Sequence, residues 1–167
     1  MPEKKTIERA KRDKREGKSA STQAGEFVRE EIEHIREGKH GAQSTEQAIA
    51  IGLSKARRAG VKLPPPEKGE APAETRRKAK RDLERGSKKT AKKTSATRAK
   101  ATKKALKKAG KKAASKQALS RQAKKAASKR TAGERSAAAK KAARTKGPTA
   151  RKAAARKAAR TRARKSA

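Results

Sequence analysis

The chain has 167 residues, with 53 Lys and Arg against 16 Asp and Glu, a formal net charge of +37, and no Cys, Trp or Tyr. One Phe and one Met leave too little apolar surface for a large core, because burying such surface is what offsets conformational entropy. Disulfides and thiolate metal sites are excluded, and no apolar run approaches membrane-spanning length. The N-terminus is basic, has no apolar stretch behind it and holds four acids before Gly17, which argues against a signal or transit peptide. The expected location is cytoplasmic and nucleoid-associated.

Residues 1–63 form the first zone, with 15 basic and 10 acidic residues and nearly all of the strongly apolar ones. Glu3 to Glu16 is helical by propensity, but Ile7 is its one anchor and Gly17 its stop, so the segment is expected to fray. Thr22-Gln23 opens a second helix in which Ala24, Phe27, Val28, Ile32 and Ile35 share one stripe, and Gly38 sits where a C-terminal glycine belongs. After a short basic loop, Lys39 to Gln43, Ser44 and Gln47 make a capping box. Ala48, Ile49, Gly52, Leu53 and Ala56 form the stripe of the third helix, and Gly60 ends it, with Val61 placed to fold back on Ala56 in a Schellman close. The sum is an αα-hairpin at about 22–60 whose stripes face each other, with Gly52 allowing close approach. Phe27, Val28, Ile32, Ile35, Ile49 and Leu53 are its core or a dimer interface. So few apolar side chains make it marginal alone, or a homodimer through Phe27 and Ile32.

Residues 64–73 are a Pro-rich linker. Pro64-Pro65-Pro66 favours an extended polyproline spacer and stops any helix before it. Residues 74–167 are a basic, low-complexity Lys/Arg/Ala tail. From Gly86 onward it has 31 Lys and Arg against one acid, Glu134. Low hydrophobicity with high net charge is the signature of disorder. Yet Arg135 to Thr145 recurs as Arg151 to Thr161 with nine of eleven positions identical, and Lys146-Gly147-Pro148 lies between as a helix breaker. Thr131 and Glu134 make a second capping box, and Thr149 is placed to cap the last segment. Ala, Lys and Arg favour helix while i to i+4 repulsion opposes it, so the tail is expected to be disordered or conditionally helical, gaining helix on a polyanion. The fold class is therefore mostly α, a small N-terminal helical hairpin followed by this tail. A shorter echo, Ala10-Lys11-Arg12-Asp13 with Gly17 and Ala79-Lys80-Arg81-Asp82 with Gly86, suggests duplication.

The stretch from Ala24 to Val61, and above all the block from Gln47 to Gly60 (QAIAIGLSKARRAG), resembles a small bacterial domain of unknown function. That resemblance implies the helical hairpin and no settled biochemistry. Some bacterial relatives of similar layout carry a plasmid-stabilisation label. The tail is similar in composition to the Lys/Ala-rich tails of linker histones and of bacterial histone-like proteins. The winged-helix domain of linker histones has no counterpart in this chain, so nucleosome docking does not carry over.

Phosphate neutralisation is the chemistry that so many cations with one anion imply, since Lys and Arg release counterions without reading bases. The candidate phosphate contacts are Lys103, Lys104, Lys107, Lys108, Lys111, Lys112, Lys124, Lys125, Lys140, Lys141, Arg151, Lys152, Arg156, Lys157 and Arg160. Duplex DNA without sequence preference is the favoured partner and RNA the alternative; the tail lacks the aromatic platforms of base-stacking single-strand binders. A minor-groove hook needs basic residues on both sides of its Gly-Pro core, and Thr149 and Ala150 follow Pro148. Glu31-x-x-His34 has the i, i+3 spacing of a di-iron motif, which needs a second copy; His40 lies apart in the loop, so no metal is expected and Glu30 with His34 reads as a surface pair. A P-loop ending at Gly17-Lys18-Ser19 fails because Arg12 stands where its first glycine must be. Leu106 and Leu119 alone make no membrane anchor. No enzyme, no cofactor and no catalytic residue are expected. The function read from the sequence is that of a histone-like, nucleoid-associated protein that compacts DNA; the alternatives are a plasmid-maintenance or adaptor protein acting through the hairpin, and an RNA- or ribosome-associated basic protein.

Overall fold

Ala, Lys, Arg and Glu lose little on entering a helix, and the chain is mostly α. The computed structural model describes residues 2–88 and 95–166, so residues 89–94 of the tail lie outside the described residues. Within them run α1 (Lys4–Arg15), α2 (Ala20–Glu37), α3 (Thr45–Arg58), α4 (Ala73–Lys88), α5 (Ala96–Lys108), a 3-10 turn (Lys111–Ala114), α6 (Lys116–Ser128) and α7 (Ala132–Ser166). The chain divides into two compact units, Met1–Gln122 and Ala123–Ala167.

In the first unit the hairpin of α2 and α3 is the centre. α2 starts earlier than the sequence suggests, at Ala20, because Ser19 accepts the Thr22 N–H at 3.3 Å and serves as its cap. Its end is a Schellman close: Gly38 sits at φ +83°, with Lys39 N–H bonded to His34 O and Gly38 N–H to Ile35 O. α3 begins at the expected cap, with Ser44 Oγ accepting from Gln47 N–H at 3.1 Å; the Gln47 side chain returns to Gln43 N–H rather than to that of Ser44. It closes as expected, Val61 N–H to Ala56 O and Gly60 N–H to Arg57 O, with Val61 buried beside Ala56. Gly52 is where α2 and α3 meet backbone to backbone; a Cβ there would lie 2.6 Å from Val28 Cα.

α1 does not fray. It lies on α2 and contributes Ala10 to a cluster of Ala24, Phe27, Ala56 and Val61, flanked by Ile7, Ala20, Leu53 and Leu63. Only one anchor is visible in its sequence because alanine carries little hydropathic signal, yet a small side chain is what lets helices approach. Arg9 pairs with Glu26 at 3.7 Å across this contact. Phe27, 1% exposed, and Ile32 are thus covered within one chain rather than presented on a surface. Val28, Ile49 and Leu53 are half-buried.

α4 is placed on α3 and buries Ala79 there, with Ser54 Oγ donating to Asp82 Oδ2 at 2.5 Å and Arg58 beside Asp82 at 3.8 Å. The echoed alanines, Ala10 and Ala79, therefore do the same work on α1 and α4, each 5% exposed. Before α4, Arg57 donates to the carbonyls of Leu63 and Pro64, which holds the start of the proline run to α3.

A piece of the basic tail also belongs to this unit. Ala113 and Ala114 of the 3-10 turn are buried with Ile32, Ile35, Ala42 and Ala48, and Val28 and Leu119 pack alongside. Four hydrogen bonds fix the docking: Thr45 Oγ1 to Ala113 O at 2.7 Å, Arg36 Nε to Ala114 O at 2.9 Å, Gly41 N–H to Leu106 O at 2.8 Å, and Ala42 N–H to Gly110 O at 3.4 Å.

The second unit is helical where composition alone pointed to disorder. α7 starts at the expected capping box: Glu134 N–H donates to Thr131 Oγ1 at 3.2 Å and Thr131 N–H to Glu134 Oε2 at 2.7 Å. Gly147, at φ +69° and ψ 169°, leaves the helical region, so 132–146 and 148–166 are two segments joined at a kink. Pro148 opens the second segment, the position its fixed φ suits, and Thr149 lies inside the helix rather than capping it. The repeat is structural too. Thr145 Oγ1 donates to Lys141 O and Thr161 Oγ1 to Lys157 O, both at 3.0 Å.

Candidate nucleic-acid interface

Helix geometry arranges the basic residues. Lys103 and Lys107, like Lys104 and Lys108, stand one turn apart on α5; Lys111 and Lys112 belong to the 3-10 turn, and Lys124 and Lys125 to α6. Lys140, Lys141, Arg151, Lys152, Arg156, Lys157 and Arg160 lie on α7. All fifteen are exposed. On the final segment Lys152, Arg156, Arg160 and Arg164 recur every fourth residue, which places them in a row about 6 Å apart per step. Among the described residues of α7 none is buried. Ala123–Ala167 holds 17 Lys and Arg with Glu134 as its acid, so internal ion pairing cannot neutralise it. Glu134 itself is committed to its cap, and the Thr131 backbone N–H and hydroxyl hold its carboxyl below the usual range.

In the first unit a shallow groove of about 480 Å³ runs between α3 and α4, with Arg57, Lys78, Arg81 and Arg85 among its lining and Asp82 the acid there.

A second constellation lies outside the expected sites. Glu30 and Glu31 are both buried, Glu31 at 1% exposure. Lys55 of α3 stands 2.6 Å from Glu31 Oε2 and 3.7 Å from Glu30 Oε1, while Glu30 Oε2 accepts the Glu3 backbone N–H at 3.2 Å. The expected surface pair of Glu30 with His34 is therefore not formed. His34 Nε2 instead meets Glu3 Oε1 at 2.8 Å, and this bond, with Lys39 next in effect, lowers the Glu3 carboxyl. The loop also returns His40 to α2: its Nε2 lies 3.3 Å from Glu31 Oε1 and its Nδ1 3.2 Å from Gly41 O. Glu31, His34 and His40 each offer one ligand atom within 4.8 Å of the others. A signal is present in the sequence, because the 3.6-residue stripe through Phe27, Val28 and Ile35 also passes through Glu31. The return of His40 has none, since it depends on the loop path.

Among the described residues no helix is long and apolar enough to cross a membrane. Residues 3–68 match the model of a family of unknown function (DUF6496), which fits the small domain read from the block at 47–60 and extends it to include α1. Comparison with curated proteins and with solved structures finds no match.

Proposed function

We propose that the chain is a histone-like, nucleoid-associated architectural protein that neutralises duplex DNA phosphates without reading sequence, and so compacts DNA. The observation that carries this reading is the exposure of all fifteen candidate phosphate contacts, seven of them on a helix that buries none of its described residues. A helix with no apolar face has no packing role to fulfil, and its excess of cations favours a polyanion. The 30 net charges after Gly86 would match roughly 50 Å of duplex at one phosphate charge per ~1.7 Å. Phosphate neutralisation removes the i to i+4 repulsion, so helix in the tail strengthens on binding.

The docked 3-10 turn decides how to truncate. A chain ending at Gln122 keeps Ala113 and Ala114 on the hairpin, whereas one ending at Arg85 removes them. The test is fluorescence anisotropy with mixed-sequence duplex DNA across a salt series, for the full chain and for 1–122, with RNA as competitor. The expected log–log slope for the full chain is steeper than about −5, at ~0.9 per phosphate, and shallower for 1–122. A slope shallower than that for the full chain would end the tail-coating reading, and RNA outcompeting DNA would move the protein to the ribosome-associated class. The adaptor reading rests on a different observation, a packed domain at 3–68 with one cluster, around Phe27, built from residues 7–63. A cellular partner retained by 1–122 would favour it.

A further inference from the structure

We propose that Glu31, His34 and His40 form a binding site for a divalent transition-metal ion of the zinc class, independent of the basic tail. Gly41 O can only accept, so the His40 Nδ1 that meets it at 3.2 Å is a donor, and this contact turns the other ring nitrogen, Nε2, toward Glu31. There Nε2 lies 3.3 Å from the carboxylate Oε1, and Nε2 and Oε1 are the two atoms of the pair that one cation would share. Tetrahedral zinc with bonds of about 2.0–2.1 Å spaces its ligands at about 3.4 Å, so this pair already has the edge length of a site.

The surroundings agree. Lys55 holds the other oxygen of Glu31, Oε2, and leaves Oε1 to the histidine side. Lys55 stands beside both buried carboxylates, Glu30 and Glu31. The His34 ring lies nearly perpendicular to that of His40, centroids 6.0 Å apart, and needs to close by no more than about 1.5 Å to reach a common ion. Its Nε2 proton goes to Glu3 Oε1, the carboxylate partner that commonly fixes a metal-binding imidazole. Two imidazoles and one carboxylate suit Zn²⁺, Ni²⁺ or Co²⁺ better than Mg²⁺ or Ca²⁺, which take oxygen ligands.

Isothermal titration of the full chain with ZnCl₂ in phosphate-free buffer tests this. One site per chain is expected, weakened at least ~tenfold by His40→Ala and by His34→Ala, and ~10-fold or more by Glu3→Gln through loss of the outer bond. Glu31→Gln is expected to abolish binding. It also removes a buried ion-pair partner of Lys55, so His40→Ala, a loop change, carries the test if Glu31→Gln fails to fold. The chain has two histidines, so the double variant keeps no imidazole. Saturable zinc binding by the double variant equal to that of the wild type would overturn the site. So would a wild type that binds no zinc.

Discussion

Replacing Gly52 with alanine sets two effects of known size against each other. Alanine in a helix interior is favoured over glycine by about 1 kcal/mol, which alone would stabilise α3. The added methyl, however, would lie 2.6 Å from Val28 Cα and 2.9 Å from Val28 N, both backbone atoms that cannot rotate away. Relief to an ordinary contact near 3.5 Å requires α2 and α3 to part by about 1 Å, and a gap of that size forfeits a quarter to a half of each dispersion contact it opens. Both apolar clusters straddle this interface, Ile35 and Ala48 in one, Phe27 and Ala56 in the other. Overpacking of this kind costs about 1–3 kcal/mol, so the net expectation after the helix-propensity gain is destabilisation by up to about 2 kcal/mol, or up to roughly 10 °C in melting temperature. Gly25→Ala is the matched control: it is also inside a helix, on α2, but nothing lies within 4 Å of its Cβ position, so that variant should gain up to about 1 kcal/mol. Differential scanning calorimetry suits the comparison, because a helix that buries no apolar surface contributes little cooperative heat. A Gly52→Ala protein melting above wild type, by as much as Gly25→Ala does, would refute the close approach of the two helices.

Gly41→Ala should undock the tail segment, since its Cβ would collide with the Ala109 carbonyl group. Undocking breaks hydrogen bonds worth roughly 0.5–1.5 kcal/mol each, so tryptic cleavage after Lys107, Lys108, Lys111 and Lys112 should quicken at least ~tenfold; an unchanged cleavage rate argues against the docked turn. At the start of α7, Glu134 has a lowered pKa, so its contribution to the first turn is fully present above its ordinary value near 4.5 and is lost as pH falls through the lowered one. Backbone chemical shifts of Ala132 to Arg135, followed from about pH 5 to pH 2, should show that turn opening, and Thr131→Ala should remove the transition.

The parts of the fold legible in the sequence are those whose signal is periodic or local. The stripes of α2 and α3 repeat every 3.6 residues, and the closes at Gly38 and Gly60 and the box at Thr131-Glu134 each need only residues a turn apart. What escapes depends on alanine and on chain path. Ala10, Ala79, Ala113 and Ala114 are all buried, yet in a Lys/Ala-rich sequence nothing local separates them from alanines that face solvent. The docking of 113–114 is selected by Arg36 and Thr45, which lie 78 and 68 residues away. Beyond the Glu31-x-x-His34 spacing, the acid–histidine constellation escapes for the same reason, because Glu3, Glu31, Lys55 and His40 come from four separate stretches.

The kink at Gly147 and Pro148 separates two helical segments that carry nearly the same eleven residues. Neither copy completes a core, so neither depends on the other for stability, and the joint between them keeps a change in one from propagating into the next. Length is then a free variable. A third copy inserted after Thr161 with its own Lys-Gly-Pro joint would add four or more cations and leave the fold as it stands, and removing one would subtract them as cleanly. Duplication can therefore set the arm's charge in steps, like links added to a chain, while the domain at 3–68 is left untouched.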